Sequence, residues 1–238
     1  MTFQELLTLA PDFREFSDHI PAELDGLFVP HTYPAYTVIH RKDSPLERIG
    51  ILLKGTFRVI NEFENGNVFM IEQNDAVSFI GEITLFAGAA TTSVTIETVT
   101  PCQTAFLPIP VFRQWLESDP RFMGRMLHHI AKKLYCASYS RGERLFYSSS
   151  YLLLKHVVSE AEALGVADQS QVVLRKTRRQ LSEELGMQEK TVNRTIARLC
   201  EEDAISLERG KIAMTREQYQ FSTRRLRVYI RQSRNGTA

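Results

Sequence analysis

The hydrophobic period of this 238-residue chain changes once, near Pro110, and that change constrains the fold more than any other feature. Before it, from about residue 31, apolar residues come in short runs: TVIH, RIGILL, GTFRVINEF, VFMIEQ, AVSFI, TSVTIETV and QTAFLP. Turn chemistry separates them, including Asp43-Ser44-Pro45, Lys54-Gly55, Glu64-Asn65-Gly66-Asn67 and Gln73-Asn74-Asp75. Asn65-Gly66 between two alternating runs marks a hairpin. Many short strands at near-regular spacing predict a sandwich or jelly roll of about eight strands. Residues 1–30 carry only short helical patterns around Phe3, Leu6, Leu7, Phe13 and Phe16.

After Pro110 the period is helical. Ser118-Asp119-Pro120 starts a segment whose apolar residues Met123, Leu127, Ile130, Leu134 and Ala137 step 4-3-4-3. A heptad seam reaching from about 120 to 146 can pack on the strand domain or on a second copy, and its length favours a dimerisation helix. Ser148-Ser149-Ser150 breaks the pattern and can cap a further helix from Tyr151 to about Leu164. A linker, Gly165 to Gln171, leads into the last motif. The fold class expected is α+β: a jelly roll over 1–118, a long helix over 119–147 and a C-terminal domain over 148–238.

That last domain has helix-turn-helix form. Thr177 and Gln180 make a capping box for a first helix whose inward residues are Leu181 and Leu185. Gly186 sits where a tight turn needs a left-handed backbone. A second helix over Gln188 to Glu201 buries Val192, Ile196 and Leu199, leaving Glu189, Lys190, Asn193, Arg194 and Ala197 on the opposite face. A recognition helix presents such a face to the major groove, N-terminal residues first. Arg194 can pair with guanine O6 and N7, and Lys190 can reach a base edge or a phosphate. Thr177, Arg178, Arg179 and Thr191 lie near helix N-termini, where phosphates are held. ISLERGKIAM reads as a hairpin with Arg209-Gly210 at its turn, a wing beside the recognition helix. Beyond it, Arg224, Arg225, Arg227, Arg231 and Arg234 form a basic tail that is either a DNA arm or a solvated face.

Charge agrees with this division. Residues 1–120 hold 7 basic against 16 acidic side chains, net −9, and residues 121–238 hold 22 against 12, net +10. Only the second half is suited to a polyanion. The N-terminus lacks the basic start of a secretory signal, and no apolar run approaches a membrane span. Cys102, Cys136 and Cys200 are dispersed, with no CxxC pair. These features imply a soluble cytoplasmic protein without a disulfide framework.

Jelly roll, long helix and winged helix-turn-helix, in that order, resemble the Crp/Fnr superfamily of bacterial transcription regulators over nearly the whole chain. The likeness rests on the Lys54-Gly55 and Asn65-Gly66 turns, on FIGEITLF at 79–86, on the long helix with Gly142, and on TRRQLSEELG…EKTVNRTIARL at 177–199. It implies a cyclic-nucleotide-binding-like jelly roll and a homodimer that places two recognition helices in successive major grooves about 34 Å apart. An inverted-repeat operator follows, and RNA polymerase becomes a candidate partner. Arg194 and Thr191 fall on the guanine-reading and phosphate-holding positions of the family pattern. Glu189 and Lys190 reverse its common Arg-Glu order, so the half-site should differ from the commonest one.

In cyclic-nucleotide-binding members a Gly-Glu turn precedes an Arg-Ser pair that holds the cyclic phosphate. Here Gly81 and Glu82 match the turn and Ile83 is a further pocket candidate, but the pair becomes Thr92-Ser93, in a run without charge from Ile83 to Ile96. The adenine-contacting hydroxyl pair of the long helix becomes Ala137-Ser138. Losing a bidentate cation from such a site costs several kcal/mol, so cyclic AMP is not the expected effector. A neutral or aromatic molecule bonded by Thr92 and Ser93, and a pocket filled by the chain itself, both stay open. Three dispersed cysteines do not make an iron–sulfur sensor. Cys136 and the haem-ligand candidates His128 and His129 read better as packing or surface residues, and no cofactor or metal is expected.

Two rival classes fare worse. A jelly-roll metal enzyme needs converging histidines, usually with an HxH step on a strand, and none occurs. A DNA-binding protein without sequence preference would bind with an affinity that falls steeply with salt and ignores sequence, whereas Arg194 on the recognition face predicts specificity within each half-site.

Overall fold

The structure is a computed structural model that describes residues 1–234, apart from the side chains of 139–141 and 228–234. It divides into two compact units, Met1–Ala137 and Ser138 onward. The division falls inside the long helix, so the segment expected at 119–147 is shared between them.

The first unit begins with helix α1 (Phe3–Leu9), capped by Thr2 and Glu5, and a 3-10 turn (Pro11–Glu15). Eight strands follow: β1 (Val29–Tyr33), β2 (Val38–His40), β3 (Arg48–Lys54), β4 (Thr56–Glu62), β5 (Val68–Asp75), β6 (Ser78–Ile80), β7 (Thr95–Thr98) and β8 (Cys102–Pro108). They form two four-stranded antiparallel sheets, ordered β1-β8-β3-β6 and β2-β7-β4-β5. The eight-strand expectation is met. β1 was not foreseen, because VPHTY carries a proline and no alternation; it pairs only with β8, and an edge strand tolerates Pro30. Between β6 and β7 lies the short helix α2 (Glu82–Phe86).

Helix α3 (Ile109–Ser118) and the first turns of α4 (Pro120–Phe146) close this unit. Asp119 accepts from the amides of Arg121 and Phe122 and so satisfies the open start of α4. The core is aromatic: Phe13, Phe28, Phe79, Phe112, Trp115 and Phe122 are all buried. Trp115 stacks on Phe122 with centroids 4.2 Å apart, joining α3 to α4. Each of these rings contributes about 2–3 kcal/mol of burial.

The second unit holds the end of α4, helix α5 (Ser149–Ala163) capped by Ser148, β9 (Gln171–Leu174), α6 (Arg178–Leu185), α7 (Glu189–Glu201), β10 (Ser206–Glu208), β11 (Lys211–Thr215) and α8 (Arg216–Arg234). The sequence pattern missed β9, four residues that gain their meaning only by pairing with β11 in the sheet β10-β11-β9. One apolar cluster unites Leu153, Val157, Leu181, Val192, Ile196, Leu199 and Leu226. Among the described residues no helix is long and apolar enough to cross a membrane.

Candidate nucleic-acid interface and effector site

The helix-turn-helix is built from its own local signals. Thr177 accepts from the Gln180 amide at 3.1 Å while Gln180 accepts from the Thr177 amide at 2.8 Å, completing the capping box. Gly186 ends α6 at φ 65°, a left-handed turn that a Cβ would strain. Val192, Thr195, Ile196 and Leu199 then face inward along α7. Gln188 is its N-cap, and Glu189, Lys190, Asn193, Arg194 and Ala197 are exposed on the outer face. Lys190 and Arg194 form no ion pair or hydrogen bond among the described residues, so their charges remain available to a ligand. Thr191 is half-buried beside them.

The residues flanking α7 are more committed. The Thr177 hydroxyl is spent on the capping box, and Arg179 pairs with buried Glu183 at 3.0 Å. Arg178 donates to the Gly210 carbonyl at 3.1 Å. That bond ties the start of α6 to the wing turn, where Arg209 and Gly210 have φ of 47° and 77°. Two successive positive φ angles are the signature of a tight hairpin turn, and they leave the Arg209 side chain exposed at the tip. Arg178 therefore positions the wing in addition to carrying charge. Beneath the motif, Glu184 Oε2 lies 2.7 Å from Lys176 and 3.0 Å from His156. Burial opposes ionisation of Glu184, but those two partners outweigh it and hold the carboxyl below its ordinary range.

In the first unit, Gly81 adopts φ 93° at the start of α2, and a Cβ there would come within 2.7 Å of Leu46. This turn buries Glu82, only 3% exposed. Its Oε1 is 2.8 Å from Lys133 Nζ of α4, and the same ammonium is 2.8 Å from Glu72 of β5. His129, one turn earlier on α4, brings Nε2 to 3.9 Å from Glu82 and packs edge-on against Phe16 and Phe79. Burial pushes the Glu82 carboxyl up, yet His129 and Lys133 hold it below the ordinary range. Burial likewise opposes the Lys133 charge, and the two carboxylates raise it above its usual value. Sequence reasoning named Glu82 and read His129 as a packing or surface residue, and it missed Glu72 and Lys133. The signal was available: a single acid opening a charge-free run needs a cation from elsewhere.

The other pocket candidates separate. Thr92 is 2% exposed, and its hydroxyl already lies 3.0 Å from the Arg41 carbonyl and 3.1 Å from that of Val94. Among the described residues that bonding capacity serves the loop itself. Ser93 and Ile83 are exposed, as are Ala137 and Ser138 on α4. Along the expected seam Met123 packs on the jelly-roll core and Ile130 is half-buried, whereas Leu127 and Leu134 are 63% and 68% exposed and Ala137 is exposed. The side chains of Arg231 and Arg234, in the basic tail, lie outside the described residues. Cys102 is buried and Cys136 exposed, and among the described residues no group of three His, Cys, Asp or Glu could hold a metal.

A winged helix-turn-helix with an exposed basic recognition face, carried on the same chain as a jelly roll, defines a DNA-binding regulator. The comparisons agree. The cyclic nucleotide-binding domain family matches residues 30–119, and the Crp-like helix-turn-helix domain family matches residues 150–218. The cAMP-activated global transcriptional regulator CRP of Salmonella typhimurium is 24% identical over 179 residues, covering 74% of this chain and 84% of that one. Its counterpart in Haemophilus influenzae is 22% identical over 178 residues, covering 74% and 79%. Among solved structures, a putative Crp/Fnr-family regulator from Eubacterium rectale superposes with TM-score 0.72 at 13% identity, covering 91% of this chain and 99% of that one. The c-di-GMP-responsive regulator CLP of Xanthomonas campestris gives 0.70 at 17% identity, covering 78% and 93%. The chain belongs to the Crp/Fnr family of transcription regulators, and its function is DNA binding rather than catalysis.

Proposed function

We propose that this regulator acts as a homodimer that reads an inverted-repeat operator, with α7 of each copy in the major groove. The observation that carries the reading is the outer face of α7, where Lys190 and Arg194 stand exposed and uncommitted on a helix anchored by Val192, Ile196 and Leu199. Arg194 supplies paired donors for guanine, and Lys190 and Glu189 alter the preference at neighbouring positions. Exposed Leu127 and Leu134 on α4 favour a second copy as the cover for that helix.

Its control does not run through cyclic AMP. The position that would clamp the phosphate is a buried threonine whose hydroxyl is occupied. Glu72 and Glu82 set two carboxylates against the single ammonium of Lys133, a balance that repels an anion. Lys133 also engages Glu82 Oε1 from within the chain, which favours a regulator active without a soluble nucleotide. Selection from a random duplex library by the purified, effector-free protein tests this. Recovery of an inverted repeat with half-sites about 10 base pairs apart supports it. Recovery of sequences without two-fold symmetry refutes the dimeric reading.

A further inference from the structure

The helix-turn-helix family match ends at residue 218, so nearly all of α8 lies beyond it. This helix is seated on the C-terminal end of the recognition helix. Immediately after α7 the chain reverses at Asp203, whose φ of 52° strains a residue with a side chain. The Gln218 side-chain Nε2 donates to Asp203 Oδ1 at 3.2 Å, and the buried Ser222 hydroxyl donates to the Ala204 carbonyl at 3.1 Å. Leu226 joins the same core cluster as Ile196 and Leu199. One turn above these contacts, Arg225 Nη1 lies 2.6 Å from Glu202 Oε2, while Glu202 Oε1 accepts from Arg198 Nε of α7 at 3.0 Å. Glu202, the C-cap of α7, is thus gripped from both helices. Arg224 and Arg227 are exposed and sit off this contact face.

We infer that Arg225 is a positioning residue for DNA recognition: acting through Glu202, it fixes the end of α7, and α8 is a brace rather than a DNA-binding arm. The inference rests on the reading that α7 is the helix entering the groove. Base edges are contacted by residues near the N-terminus of α7, so a small change in its axis displaces Lys190 and Arg194 most. The basic tail then owes its charge partly to contacts within the unit, with no phosphate involved.

Salt dependence separates brace from arm, because each lost phosphate contact lowers the slope of log affinity against log salt by about 0.9. Binding of the full chain to the selected inverted repeat is measured by fluorescence anisotropy over about 50 to 300 mM salt. Arg225→Ala is expected to weaken binding about three- to tenfold at every salt concentration, with the slope unchanged. Glu202→Gln should give a comparable loss, the two together no more than either alone, and Arg225→Lys should recover part of it. Arg224→Ala with Arg227→Ala should change neither affinity nor slope. A slope reduced by about one in Arg225→Ala, additive losses in the double variant, or an unchanged affinity would each overturn the inference. Should Arg225→Ala fail to fold, Glu202→Gln carries the same comparison of slopes. Failure of the wild-type chain to prefer the repeat over random duplex would instead refute the groove assignment itself.

Discussion

Replacing Lys133 by methionine keeps the volume and the helix propensity of α4 but deletes the cation between two carboxylates. Glu72 is 31% exposed and can turn towards water, so its loss of a partner costs little. Glu82 cannot: its side chain is 3% exposed and would be left facing His129 alone, at 3.9 Å. Breaking a buried pair at one end costs about 3–5 kcal/mol, and the partial exposure of Lys133 places this case near 3 kcal/mol at pH 7. The sign of the pH dependence follows from the charges that face Glu82, which are Lys133 and His129 of α4 and Glu72 of β5. In the wild type the Glu82 carboxyl lies below its ordinary range, so its contribution is present above the unfolded value and is lost as pH falls through the folded one. In the variant burial dominates and the carboxyl rises. Its stability then falls as pH climbs from the unfolded value, 4.5, towards the raised folded one. The gap between the two proteins is therefore widest near neutrality and closes towards pH 4.

The chain has one tryptophan, Trp115, buried in the first unit, so its fluorescence reports unfolding of that unit in the intact protein. Urea titrations at about pH 7 and pH 4.5 should show a loss of about 3 kcal/mol at the first and under half of it at the second. Adding Glu82→Gln to the variant should restore most of the loss, since it removes the stranded charge. A loss below about 0.5 kcal/mol at pH 7, or an equal loss at both pH values, would refute the buried ion pair as the force holding α4 to the jelly roll.

Leu134→Glu should convert the proposed dimer to monomer in sedimentation experiments while the Trp115 transition stays in place, because the side chain is 68% exposed and outside the core. Arg194→Ala should lower affinity for the selected repeat by about 1–3 kcal/mol and leave random duplex nearly unchanged. Arg178→Ala should weaken both alike, since it removes a charge and frees the wing turn at Gly210. Titration calorimetry with cyclic AMP should detect no binding at millimolar ligand, and Thr92→Arg alone should not create it while Glu82 is held by Lys133.

The C-terminal motif was legible because its determinants are local. A capping box, a left-handed glycine and an i, i+4, i+7 apolar stripe each act within a few residues, and all recur in the structure at Thr177, Gly186 and Val192 to Leu199. The jelly roll was legible as a count of strands, but β1 and β9 were not, since each becomes a strand only by pairing with a distant partner, β8 and β11. The heptad pattern of α4 showed faces without showing their partners. Met123 belongs to the pattern by spacing, yet it packs on the first unit's core, and Leu127, four residues on, does not.

The candidate effector site shows the same limit and a way past it. Helical spacing puts His129 and Lys133 on one face of α4, four residues apart, but nothing within α4 says that Glu82 lies opposite. Desolvation supplies the missing constraint, because a carboxylate opening a run of fourteen residues without charge, Ile83 to Ile96, must either stay in water or find a cation. The left-handed turn at Gly81 drives Glu82 inward, and long-range pairing then becomes obligatory. Of the lysines and arginines of the first unit, Lys133 is the one that meets it, 2.8 Å from Oε1. The residue that stabilises the fold is therefore also the one that occupies the buried acid of the candidate effector site.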